Sequence, residues 1–312
     1  MPRSLKHILW TLLCWSAILG PQQANAGEVL IVNSSQLQPY LQAIDGVNQV
    51  LQRVSYQGVK TIHRAETEIV SAGAIQSDPT FFNRKIEQGQ VRVVVAVGSK
   101  ALAAASGLEV PVIALLTPNP EKQPAAAGRI YQVPLMAPPA EQLAAIHAAL
   151  PRIGRVGIIY DPQHSAALVD SFRAAAGQQG LSIVARELSE AKLLSHVLAG
   201  LQGEVEALLL VPDPTVISPI TLDIFALFSL AEQVPVIAFA AQYLKHGAAL
   251  AVYLTPAAMG EAAGRLAQQL LMAGPDGTVE GAQPTVEIKI NQDVAEKLGL
   301  NLQHHKNSEI DQ

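Results

Sequence analysis

Cysteine is almost missing from this chain. One occurs in 312 residues, Cys14, and it sits inside an apolar N-terminal stretch. A single thiol makes no internal disulfide and no C-x-x-C pair, so the fold has to be held by its core. Charge is sparse as well: Asp, Glu, Lys and Arg make up 15%, the net charge is −5, and no dense basic run occurs. That composition argues against nucleic acid as a partner. Aromatic residues are 4%, and both tryptophans, Trp10 and Trp15, share the N-terminal stretch with Cys14. Mean hydropathy is +0.25, which raises the question of a membrane. Beyond the N-terminus, however, no run reaches the ~18 uncharged apolar residues of a spanning helix. Motifs for catalysis are missing too. The sequence has no G-x-x-x-x-G-K-[ST], no G-x-G-x-x-G after a strand and no G-x-S-x-G, so phosphate-loop, dinucleotide and serine-nucleophile chemistry lack their signatures.

What is present begins with an export pattern. Arg3 and Lys6 precede the uncharged stretch 8–19, then come Gly20-Pro21 and Ala24-Asn25-Ala26, an A-x-A site. Residues 1–26 are expected to be a signal peptide cleaved after Ala26. Cys14 follows Leu12-Leu13 in mid-stretch rather than a small-residue motif, so lipidation there is not expected. Cleavage would remove the one cysteine and both tryptophans.

Thereafter short β-rich runs alternate with longer amphipathic stretches. Strands are expected at 28–33, 59–63, 91–97, 110–116 and 129–133, with helices at 38–53, 79–88 and 100–106. The run VRVVVAV (91–97) is almost wholly apolar, as a parallel strand buried on both faces requires. Near residue 136 the pattern restarts. Strands are expected at 155–160, 181–187, 207–211, 234–239, 248–253 and 285–290. The matching helices fall at 140–150, 166–179, 189–201, 218–232, 256–273 and 292–298. Two rounds of βα repetition predict an α/β fold of two doubly wound, parallel-sheet lobes.

In open α/β sheets ligands bind beyond the carboxyl ends of the strands. The residues there include Ser34, Ser99, Asn119, Ser165, Asp213, Phe239 and Tyr253. Each serine has two readings, a cap for its own helix or, with neighbouring N–H groups, a ligand for a carboxylate or phosphate. His164 is the histidine placed in a strand-end loop, where it could meet ligand or solvent. Asp161 and Asp213 both lie beside a proline, so turn-forming, ligand binding and acid–base work are all open to them. His304-His305 falls in the C-terminal tail without companion ligands, and no metal site, catalytic residue or cofactor is expected.

Several segments resemble a known family. They are VVAVGSKA (94–101), Pro111–Leu115 with Asn119-Pro120, RVGIIY (155–160) with Ser165, ALLLVPD (207–213), Gly247–Tyr253 with Gly260, and Ile290-Asn291 with AEKLGL (295–300). The chain is similar over nearly all its length after residue 26 to the ABC-transporter substrate-binding proteins of the type I periplasmic-binding fold. It resembles the branch in which some members bind aromatic amino acids. In that family's pattern Ser99 and Ala101 match, as do Ser165 and Asp213. His164 stands where the family has Asn, Pro214 stands where it has Asn, and Tyr253-Leu254-Thr255-Pro256 departs from a D/G-Y-Y-x-x-G stretch.

The resemblance implies three hinge crossings between lobes. One lobe is expected from residues 27–134 plus 251–282, the other from 135–250 plus 283–302, with a disordered tail at 303–312. It implies a monomeric periplasmic receptor that closes on a small polar, amino-acid-like ligand and delivers it to an ABC permease. Asp213 would take the ligand's ammonium, and Phe239 or Tyr253 would lie against its side chain. Sensing on behalf of a membrane kinase or another envelope partner is the alternative output. An exported α/β enzyme is the third reading, against which stands the missing nucleophile, metal cluster and phosphate loop.

Overall fold

Strands that read as unbroken apolar runs need cover on both faces. Three such runs, β1 (Val29–Asn33), β3 (Val93–Val97) and β4 (Val112–Leu115), are buried at every position. The computed structural model describes residues 28–52, 67–73, 78, 80–88, 90–105, 108–117, 129–273 and 279–300. The export segment, the strand expected at 59–63, Asn119 and the tail lie outside the described residues. β1, β3 and β4 form the middle of a five-stranded sheet edged by β2 (Thr67–Ser71) and β5 (Ile130–Gln132), in the order β2-β1-β3-β4-β5. All of its pairings are parallel. Side chains alternate between the two faces. Val29, Ile31, Val95 and Ile113 pack with α1 (Gln38–Gln52), while Leu30, Val32, Val94 and Val112 pack toward Ala101 and Leu102.

Those last two residues belong to α3 (Ser99–Ala104), which follows α2 (Phe81–Glu87) in the chain. Each fully buried Val, Leu or Ile contributes roughly 1.5–3 kcal/mol.

The second sheet holds six strands: β6 (Arg155–Tyr160), β7 (Ser182–Glu187), β8 (Ala207–Leu209), β9 (Val236–Ala238), β10 (Leu250–Tyr253) and β11 (Glu287–Ile290). Their order is β11-β10-β9-β8-β6-β7. Every pair is parallel except β10 with β11, which is antiparallel and matches Tyr253 with Glu287. One face packs against α4 (Pro139–Ala149) and α5 (Pro162–Ala176) through Leu143, Ile146, Val169 and Phe172. The other packs against α6 (Leu194–Ala199) and α7 (Pro219–Glu232) through Leu194, Leu198, Leu222 and Phe225. Helix starts are capped as the sequence allows. Asp161 accepts from the Gln163 N–H, Ser218 and Thr221 form a reciprocal capping box, and Asn291 opens α9 (Gln292–Lys297).

The chain passes between the sheets three times. It leaves the first after β5, returns after β10 to lay α8 (Pro256–Ala273) on α1, and goes back to add β11. β10 stays paired in the second sheet through Ala251, and its partner β11 keeps it there to Tyr253. The return therefore comes at Leu254, a member of the first core, and not at residue 251. Glycines make the α1–α8 seam possible. A Cβ on Gly46 would lie 2.3 Å from the Ala257 carbonyl oxygen, and one on Gly260 would lie 1.9 Å from that of Ala43. Among the described residues no helix is long and apolar enough to cross a membrane.

Candidate ligand-binding site

At the carboxyl ends of the first sheet, Ser34 and Ser99 follow the adjacent strands β1 and β3. The Ser34 hydroxyl accepts a hydrogen bond from the Ala101 N–H at 2.8 Å, and its own N–H donates to the Val97 carbonyl at 3.0 Å. Ser34 thus caps a helix that is not its own, a role the local sequence does not reveal. Gly98 joins β3 to α3 with φ +90°, and a Cβ there would fall 2.7 Å from the Tyr40 ring and 2.8 Å from the Ser34 hydroxyl. Only glycine tolerates that conformation and that approach. Ser99 is half-buried at the first position of α3. Beyond β4, Leu116 has a left-handed φ of 52°, and the Thr117 hydroxyl, buried, donates to the Leu115 carbonyl at 3.2 Å.

The second sheet carries a denser network. Asp213 is 2% exposed, and both carboxylate oxygens are engaged by backbone. One accepts from the Asp161 N–H at 2.8 Å, the other from the N–H groups of Thr215 at 2.9 Å and Val216 at 3.3 Å. Asp213 was expected to hold a ligand's ammonium; three of its roughly four acceptor positions are taken by backbone N–H groups. Its carboxylate is turned into its own loop, where it ties the β8 turn to the end of β6. Asp161 is buried too. It accepts from the Thr215 hydroxyl at 2.7 Å, from the Gln163 N–H at 2.9 Å, and stands 3.2 Å from His164 Nδ1. The Thr215 hydroxyl, then the Gln163 N–H, then His164 hold its carboxyl below the ordinary 3.8, against the opposing effect of burial. His164 Nδ1 also lies 3.3 Å from the Thr215 hydroxyl. Ser165 is buried in the first turn of α5, its N–H donating to the Asp161 carbonyl.

A third group lies at the ends of β9, β10 and β11. Phe239 and Tyr243 pack at 5.0 Å between ring centroids with planes tilted by 56°. Both rings, with Tyr253, are partly buried against the same core face. Tyr253 stands opposite Glu287 in the β10–β11 pairing, and burial first, then the Glu287 charge, pushes its phenol above 10.0. Thr255, just past β10, donates its hydroxyl to Glu287 Oε1 at 2.8 Å and accepts from the Ala258 N–H that opens α8.

Of the expected site residues, Ser34 and Ser99 follow neighbouring strands, Ser165 and Asp213 both bond to the Asp161 backbone, and Phe239 and Tyr253 pack on one core. Thr215, Thr255 and Glu287 were not expected. The D-x-T spacing of Asp213 and Thr215 carries a turn signal that could have flagged the first. Among the described residues no group of three His, Cys, Asp or Glu could hold a metal ion.

A family model described as ABC transporter substrate binding protein matches residues 36–309. Among solved structures, the chain resembles the ligand-free, open structure of a substrate binding protein with adhesive properties from Clostridium difficile. The TM-score is 0.63 at 16% identity, over 90% of this chain and 98% of that one. This likeness is one of fold. The chain also aligns with a domain from Streptococcus pneumonia in complex with L-Trp, at 18% identity and TM-score 0.47, over 88% of this chain and 95% of that one. No curated protein matches it.

Proposed function

The chain belongs to the ABC transporter substrate-binding protein family, and on that footing we propose that it is a periplasmic receptor for a small polar, amino-acid-like solute, which it delivers to an ABC permease in the inner membrane. What supports this above all is that the family match, residues 36–309, takes in the second sheet, every strand of the first but β1, and all three passages between them. The family is one of binding proteins, not of enzymes. Two lobes joined by three passages can close on a ligand by hinge rotation. The Ser34 hydroxyl, which accepts from Ala101, keeps its proton to donate to a ligand carboxylate. Ser99, Asn119 and Ser165 add polar groups at strand ends, and Phe239 and Tyr253 offer aromatic surface for an apolar side chain. We further propose that residues 1–26 direct export, that the released chain starts at Gly27, and that it is a monomer.

A thermal-shift screen of the purified chain against amino acids, purines, sugars and small carboxylates tests the binding function. A solute at ~100 times its dissociation constant adds about 2.7 kcal/mol of stability. If no solute in such a screen moves the melting temperature, the receptor function falls. Uptake of the identified solute by cells with and without the gene separates delivery from sensing, since only delivery makes uptake depend on it. Osmotic shock followed by intact-mass measurement tests export and the Gly27 start.

A further inference from the structure

A half-buried carboxylate whose only partners are uncharged is incomplete in charge, because buried charges are otherwise paired with an opposite charge. Glu287 is in that position. Among the described residues its hydrogen-bond partner is the Thr255 hydroxyl at 2.8 Å, Tyr253 stands opposite it in the strand pairing, and neither brings positive charge. Lys289, next along the same face of β11, is exposed. Glu287 also occupies a particular place. It opens β11 opposite Tyr253, the last residue of β10, at the end of the second sheet where its parallel strands finish. Tyr253 packs on the second sheet's core, while Thr255 heads α8, which packs on α1 of the first lobe. The carboxylate is thus flanked from both sides of the passage between lobes. On its own side lie the rings of Tyr253, Phe239 and Tyr243, all against one core face.

We propose that Glu287, and not Asp213, is the residue that recognises a cationic group of the ligand, and that the ligand carries a protonated amine beside an apolar or aromatic body. This rests on the solute-binding function proposed above. Two oxygens provide about four acceptor positions, so the Thr255 bond leaves room for an ammonium. Thr255 fixes the carboxylate's orientation beforehand. Aromatic faces near an ammonium add cation–π attraction, and the same rings cover the apolar body.

The test uses the purified chain and probes that differ in one group: L-phenylalanine, phenethylamine and 3-phenylpropionate, with D-ribose and adenine as uncharged references. Calorimetry is expected to show that an amine probe binds the wild type, with 3-phenylpropionate weaker by about tenfold or more. Glu287→Gln keeps one amide oxygen to accept from the Thr255 hydroxyl and removes the charge. It should abolish that preference while leaving the melting temperature of the free protein close to wild type. Thr255→Val removes one hydroxyl and retains the charge, so the preference for the amine should survive. Equal binding of amine and deaminated probes, binding of ribose or adenine alone, or an unchanged preference in Glu287→Gln would overturn the assignment to Glu287 and leave the receptor function standing. Failure of every probe, references included, would count against both.

Discussion

Replacing Asp213 by alanine strips the acceptor from three backbone N–H groups at once. The consequence can be worked out donor by donor. The Val216 N–H also reaches the Asp213 carbonyl at 3.2 Å, so it keeps a partner. The N–H groups of Asp161 and Thr215, at 2.8 and 2.9 Å from the carboxylate, lose theirs. A buried donor left unpaired costs about 1–3 kcal/mol, and Thr215 is half exposed, so water recovers part of its share. Asp213→Ala should therefore lower the unfolding free energy by about 3 kcal/mol, which for domains of this size is a fall in melting temperature of about 6–12 °C. Asp213→Asn is the sharper variant. Its amide oxygen can still serve Thr215 and Val216, but its amide nitrogen then faces the Asp161 N–H, donor against donor. About 2 kcal/mol should be lost, with volume unchanged. Both variants should bind the solute identified by screening with wild-type affinity. Had Asp213 been a desolvated partner of a ligand's ammonium, its loss would cost about 3–5 kcal/mol of binding instead. Urea denaturation and calorimetry on the same two proteins decide the matter. A loss of affinity with stability within ~0.5 kcal/mol of wild type would refute the turn-forming role.

Thr215→Val should raise the Asp161 carboxyl toward its ordinary 3.8, since the Thr215 hydroxyl is the largest influence holding it down. The folded carboxyl titrates below the unfolded one, so its stabilising contribution is complete above about pH 4 and disappears as pH falls through the folded value. Following the carboxyl carbon by NMR titration checks this, and an unmoved titration in the variant would contradict it. Gly260→Ala should destabilise the chain by about 2 kcal/mol or more, because its Cβ would meet the Ala43 carbonyl oxygen at 1.9 Å. At an exposed helix position the same change would stabilise by about 1 kcal/mol, so the sign of the urea midpoint shift alone tests the α1–α8 contact.

The sequence made visible those elements whose pattern is set by burial on both sides. VVVAV and VIAL read as parallel strands because no polar residue interrupts them, and α8 was legible to the residue because Thr255-Pro256 starts it and Gly274-Pro275 follows it. β2 was missed for the opposite reason. Its TEIVS lies at a sheet edge with mixed exposure, so it offers neither an apolar run nor a clean alternation. The antiparallel β11 falls within the strand expected at 285–290. Which residue it would bring to Tyr253, however, depends on a register fixed by pairing across a long insertion.

The two acidic residues at issue show where local reading stops. Asp213 follows one expected strand and Glu287 lies within another, and composition treats them alike. What separates them is the donor that reaches each one. Asp213 is met by the N–H of Asp161, 52 residues away in sequence, together with two N–H groups of its own turn. Backbone donors cannot move away from it without breaking the sheet's edge or the turn, so three of its lone pairs are tied to the fold. Glu287 is met by the Thr255 hydroxyl, which can rotate while the carboxylate takes a further partner. That hydroxyl comes from the segment that leaves for the first lobe, so under the proposed role a change in lobe angle acts on this carboxylate. A carboxylate with committed backbone donors organises a loop. One held by an adjustable hydroxyl at a crossing point can answer to a ligand, and that difference, invisible in the residue names, is what assigns the two aspartate and glutamate side chains their separate parts.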